Sequence, residues 1–127
     1  MAKILIVEDD LNLYTLYDTE FGLSGHKTIR NETGDGVTEQ VLAEKPDAVL
    51  LDIMLPKKDG LTILTELNNN PATHNVPKVM LTNFGNEENV KRAIDNGAED
   101  FILKYKSVPS EVVVKVEEIL KRRKNSG

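Results

Sequence analysis

Seven polar residues stand directly after four apolar runs of strand length, and their types are those that hold hard cations and anionic groups. Glu8, Asp9 and Asp10 follow ILIV (4–7), Asp52 follows AVLL (48–51), Thr82 and Asn83 follow VPKVML (76–81), and Lys104 follows DFIL (100–103). One acid at the end of a buried strand often marks only the point where the chain leaves the core. Four such ends carrying carboxylates, a hydroxyl and an ammonium make a complementary set. Two carboxylates about 4 Å apart repel by around 4 kcal/mol at an effective dielectric of about 20, so an acidic cluster needs a proton or a cation within it. All-oxygen donors with open positions suit Mg²⁺, with Mn²⁺ as the alternative. A cation there would let an anionic substrate approach, and a phosphoryl group fits. Asp52 could then attack phosphorus as a carboxylate nucleophile. The metal, Lys104, Thr82 and nearby backbone N–H groups would each neutralise an oxygen of the transferring group.

Positioning these residues together is the task of the elements around them. A weaker strand run, HKTI (26–29), completes a set of five. Helical spacing separates the strands. Residues 11–23 place Leu13, Leu16, Tyr17 and Phe21 on a predicted apolar face before GLSG. Residues 36–44 carry Val37, Val41 and Leu42; 59–69 carry Leu61, Leu64 and Leu67; 86–96 carry Val90, Ala93 and Ile94. The last helix opens at VPSE and runs through Val112, Val113, Val116, Ile119 and Leu120, capped by Ser110 or the residue before Pro109. Five strand–helix alternations predict a doubly wound parallel sheet with helices on both faces and right-handed crossovers. In such sheets ligands bind outside the carboxyl ends of the strands, where the seven polar residues fall.

Composition narrows the classes. The 127 residues suit one domain, taken as 1–127, with no repeat or linker. No apolar run is long enough to span a bilayer, and MAKILIVEDD meets acid too early for a signal peptide, so a cytoplasmic location is expected. Without cysteine there is no disulfide framework and no thiolate site. A net charge of −5 disfavours direct nucleic-acid binding, and KRRK (121–124) suits the negative end of the last helix dipole. Asp10 reads as the cap of the first helix. His26 and His74 lie away from the strand ends, and Pro56 and Gly60 shape the turn beside Asp52.

ILIVEDD, LLDIMLPKKDG, MLTN and DFILK, in this order and spacing, resemble the receiver (CheY-like) domain of two-component response regulators, from Lys3 to about Arg122. The resemblance implies a flavodoxin-like five-stranded sheet in the order 2-1-3-4-5 with five helices. It implies Asp52 as phosphoacceptor and an acidic pair in which Asp9 ligates Mg²⁺ directly and Glu8 acts through water. The backbone carbonyl of Met54 would complete the protein's share of that shell. Thr82 matches the switch hydroxyl, Lys104 the phosphate-binding lysine and Phe101 the aromatic that turns on activation, although an aromatic at a strand position is also ordinary core. The implied partners are a sensor histidine kinase or phosphotransfer protein upstream, and a downstream protein or a second copy on the helix four–strand five–helix five face, with no membrane.

Two departures stand out. Tyr105 follows Lys104 where the family usually has a cis proline; a trans bond is expected, because cis before a non-proline residue costs about 3–4 kcal/mol. Lys104 is kept as the expected phosphate-binding residue, with Lys106 as a candidate substitute. Met54, Asn83 and Phe84 are bulky around the acceptor and form a candidate gate against water. A haloacid-dehalogenase-type phosphatase needs a general acid two residues after its nucleophile, and Met54 cannot serve; enzymatic turnover of an external substrate is therefore not expected. A receiver fold used only as an unphosphorylated interaction module is the alternative. A flavodoxin-like cofactor binder would need a glycine- and hydroxyl-rich loop where EDD stands. No output domain follows the last helix in this sequence, so output is expected through protein contact, unless the chain is one part of a longer regulator.

Overall fold

The computed structural model describes residues 2–83 and 87–126, with the side chains of Glu87, Asn89, Tyr105 and residues 124–126 outside the description. Strands and helices alternate: β1 (Lys3–Val7), α1 (Leu11–Leu23), β2 (Lys27–Asn31), α2 (Val37–Glu44), β3 (Ala48–Asp52), α3 (Gly60–Asn69), β4 (Lys78–Thr82), α4 (Glu87–Asp95), β5 (Asp100–Leu103), a 3₁₀ turn (Lys104–Lys106) and α5 (Pro109–Ser126). The strands form one parallel sheet in the order β2-β1-β3-β4-β5, the expected arrangement. β1, β3 and β4 are flanked on both sides and read as unbroken apolar runs, as strands covered on both faces do.

Side chains alternate across the sheet and build two cores. Leu5, Val7, Val49, Leu51 and Met80 pack against Val37, Val41, Leu61, Leu64, Leu67 and Ala93 of α2, α3 and α4. Ile4, Ile6, Ala48, Leu50, Val79, Leu81 and Ile102 pack against Tyr17 and Phe21 of α1 and Val112, Val113, Val116 and Ile119 of α5. Three expected helix-face residues are exposed rather than buried: Leu16 is 54 % exposed, and Leu42 and Ile94 are exposed too. Each directly follows or precedes a buried residue, and one residue step turns a helix by roughly 100°, enough to carry a side chain off the stripe. The buried stripe of α1 instead runs through Leu13, Tyr17 and Phe21 at spacing i, i+4, i+8.

The helix starts carry their caps in the sequence. Asp10 accepts from Leu13 N at 3.2 Å and caps α1; Asp59 accepts from Leu61 N at 2.6 Å and caps α3. His26 takes the Ala2 N–H and faces Glu117 at 2.8 Å, and His74 meets the Asn68 carbonyl. Both histidines do structural work away from the strand ends.

Lys78 is a buried cation at the start of β4, donating to the His74 carbonyl at 2.7 Å. Burial pushes its pKa down, helped by the charge of Arg123 and opposed by Glu99. A lysine whose pKa is lowered on folding weakens the fold wherever it is charged, and that penalty fades as pH rises past the folded pKa toward 10.5. Lys78→Met is therefore expected to raise the melting temperature by a few degrees at pH 7, with the gain shrinking as the pH approaches 10.5. Thermal melts at several pH values check this.

Candidate functional site

The register of the sheet sets the site's level. Val7 pairs with Leu51, so Glu8, one residue past Val7, and Asp52, one past Leu51, lie level on neighbouring strands. Both have the parity of Ile6 and Leu50, on the face covered by α1 and α5. Lys104 lies one residue past Leu103, which pairs with Thr82. Its ammonium donates to Glu8 Oε1 at 2.6 Å and to Asp52 Oδ2 at 3.0 Å. The predicted Glu8, Asp52 and Lys104 are thus brought into direct contact. Lys104 reaches the acids itself, and Lys106 is an exposed residue of the 3₁₀ turn. No cis peptide occurs among the described residues, so the Lys104–Tyr105 bond is trans, as expected.

Glu8 is only 1 % exposed and Asp52 is also buried, whereas Asp9 faces solvent. Burial raises the Glu8 pKa from 4.5 to about 7; the hydrogen bond from Lys104 opposes that shift and the Asp52 charge adds to it. Lys104 is itself desolvated, but its two carboxylate partners outweigh this and hold its pKa above 10.5. Beneath the pair, Tyr17 is buried, and burial together with the charges of Glu8 and Asp52 keeps its phenol protonated well above the usual range. One carboxylate oxygen from each of Glu8, Asp9 and Asp52 lies within 4.8 Å of the others. Three hard oxygen donors, one open to water, fit a divalent cation of the Mg²⁺ class, which retains several waters.

Thr82 is fully buried at the end of β4 with the parity of Met80, on the opposite face from Asp52. Phe101 is half-buried against that same core. Met54 is 61 % exposed and lines a cavity of about 400 Å³ with Asp9, Ile53, Leu55, Pro56 and Asp59. Asn83 is exposed, and Phe84 lies outside the described residues. Gly60 donates to the Ile53 carbonyl at 2.7 Å, and a Cβ there would fall 1.9 Å from the Asp52 carbonyl oxygen. The backbone of Asp52 is thus wedged against the start of α3, a firmer role for Gly60 than the turn expected of it.

One residue beside the site had no signal in the strand-end pattern. Arg30, within β2, donates from Nε to the Glu8 carbonyl at 3.2 Å and from Nη2 to the Asp9 carbonyl at 3.0 Å. A mid-strand arginine on an edge strand reads as ordinary surface, and its targets are backbone atoms that no residue type announces.

Fold and site together define a flavodoxin-like α/β protein with an acid–lysine centre at the carboxyl edge of its sheet. The chain belongs to the response regulator receiver domain family, whose family model matches residues 4–117. It is 33 % identical over 124 residues to the DNA-binding dual master transcriptional regulator RpaA of Synechocystis, covering 96 % of this chain and 50 % of that protein. It is 32 % identical over 120 residues to the phosphate regulon transcriptional regulatory protein PhoB of Escherichia coli, covering 94 % and 52 %. The chain spans about half the length of the curated relatives it matches. Among solved structures it resembles the BeF3-activated N-terminal receiver domain of Klebsiella pneumoniae RstA, with a TM-score of 0.85, 36 % identity and coverage of 93 % and 97 %. A CheY-like receiver domain protein of Methanospirillum hungatei shares the fold at a TM-score of 0.90 and 24 % identity, covering 100 % of this chain and 99 % of that one. No helix among the described residues is long and apolar enough to cross a membrane.

A lysine whose pKa is raised on folding contributes stability throughout the neutral range, lost only as pH climbs through its folded pKa. Lys104→Met should therefore destabilise the metal-free protein at pH 8 by about 3 kcal/mol, since it leaves buried carboxylates unpaired. The deficit should narrow toward pH 5, where Glu8 takes up a proton. Chemical denaturation at the two pH values checks both signs.

Proposed function

We propose that this chain is a phospho-accepting receiver with Asp52 as the acceptor. The observation that carries the reading is the Lys104 ammonium bonded to both Glu8 and Asp52 at the carboxyl edge of the sheet. Ion pairs also occur for purely structural reasons, but this one joins the three residues that the resemblance implies as acid, acceptor and lysine. An Asp52 carboxylate oxygen attacks the phosphorus of a phosphohistidine. The P–N bond breaks, its electron pair goes to the imidazole, and an aspartyl phosphate remains. Glu8, Asp9, Asp52 and the backbone carbonyl of Met54 would hold Mg²⁺. Bound there, the ion supplies charge neutralisation at the phosphoryl oxygens. Lys104 donates to one phosphoryl oxygen and the Thr82 hydroxyl, drawn inward, to another; Phe101 follows Thr82.

The resulting change is read on the α4–β5–α5 face by a protein partner or a second copy, with a histidine kinase or phosphotransfer protein as donor. On this reading residues 1–127 act as one receiver domain in the cytoplasm, and its phosphoryl chemistry is confined to its own Asp52. The relatives' roles as transcriptional regulators support a signalling setting.

Intact mass after incubation with Mg²⁺ and acetyl phosphate tests the proposal. One added phosphoryl group is expected in wild type, and none in Asp52→Ala or without Mg²⁺. An unmodified wild-type mass, with no Mg²⁺ binding, would favour the unphosphorylated interaction module. Met54 stands two residues past the acceptor on the wall that Asp9 also lines, and is proposed as part of a gate against water. Met54→Ala should shorten the half-life of the phosphoryl group several-fold, as read by the decay of the mass adduct; an unchanged half-life would remove Met54 from the gate.

A further inference from the structure

We propose that Arg30 is a positioning residue for the cation site, clamping the backbone of Glu8 and Asp9 so that their carboxylates converge with that of Asp52. This inference rests on the receiver reading above. An arginine near three acids is expected to pair with one of them. Among the described residues, however, the hydrogen bonds of Arg30 run to main-chain oxygens: Glu8 O at 3.2 Å and Asp9 O at 3.0 Å. Those two carbonyls belong to the successive peptide planes on either side of the Asp9 Cα, so holding both fixes the direction in which Asp9 leaves the chain. The Asp9 side chain is exposed, so the direction it takes depends chiefly on its backbone. The strand that carries Arg30 also holds the preceding peptide, the Glu8 N–H donating to the Asn31 carbonyl at 3.0 Å.

The clamp is itself held. The guanidinium lies over the Tyr14 ring, 5.5 Å from its centre, and a planar cation is suited to that seat. The Tyr14 hydroxyl is pinned to Thr28 Oγ1 at 2.7 Å, and Thr28 in turn donates to Asp18. Two adjacent acceptors match the fork of a guanidinium; a lysine ammonium brings the charge but not the planar pair of donors.

Charge and geometry predict opposite signs, which makes the inference decidable. A fixed positive charge beside a cation site repels the cation, so loss of the charge alone would tighten Mg²⁺ binding. Loss of the clamp would weaken it. Mg²⁺ affinity is measured by calorimetric titration on wild type, Arg30→Met and Arg30→Lys, with a metal-free melt of each. About tenfold weaker binding or more is expected for Arg30→Met, the size typical of losing an outer group that orients metal ligands. Arg30→Lys should stay weakened despite its charge. Arg30→Met binding Mg²⁺ as tightly as wild type, or more tightly, overturns the inference, as does full recovery by Arg30→Lys. If Arg30→Met does not fold, Arg30→Lys decides by the same criterion. A wild type that binds no Mg²⁺ overturns the receiver reading and this inference with it, whereas unchanged variants beside a binding wild type overturn the clamp alone.

Discussion

One ammonium allows two buried carboxylates to stand side by side. Glu8 and Asp52 are both shielded from water, and the Lys104 side chain bonds to each. To do so it must cross from the end of β5 over β4, because the order of the sheet places β4 between β5 and β3. The crossing is open because Thr82, at the end of β4, has the parity of Met80 and belongs to the other face. A long, unbranched lysine stem spans the gap; a shorter cation would stop above β4. Much of the architecture follows from this contact: strand order, register and parity each have to be right for one nitrogen to meet two acids.

The same parity divides labour between the two faces of the sheet. Glu8, Asp52 and Lys104 share the α1–α5 face, with Tyr17 packed beneath them. Thr82 and Phe101 share the α2–α4 face, where α4 and the core around Ala93 lie. Charge is therefore gathered on one side, and the hydroxyl and aromatic that would respond to it pack on the other. The sheet edge is where the two meet, since only beyond the last ladder bond can side chains of opposite parity approach one ligand.

Most of the fold was legible because it is written in local pattern. The bounds of β5 and α1 were read correctly from apolar runs and helical spacing, and Asp10 marks the start of α1 by type. Leu16, Leu42 and Ile94 were misplaced because composition says a residue is apolar, whereas the packing stripe is narrower than the apolar residues available to fill it. At the site, Glu8, Asp52 and Lys104 were legible as strand-end residues of complementary charge. The burial of Glu8 against the exposure of its neighbour Asp9 was not, since it depends on which face each side chain takes at the edge. Arg30 was hidden for another reason: it acts on carbonyl oxygens, which every residue has. The approach of Gly60 to the Asp52 carbonyl likewise leaves no mark beyond a single glycine.

The span of the Lys104 contacts bears on how the site comes into being. Its partners lie 96 and 52 residues earlier in the chain, so these are among the least local contacts in the molecule. During synthesis both carboxylates emerge well before the ammonium that neutralises them. A sheet assembled only as far as β4 carries that acidic edge without the ammonium that bonds its two buried carboxylates. Closing contacts of such sequence separation costs the entropy of the loop between them. The centre is complete only where β5 is in place, so its electrostatic balance requires the whole sheet.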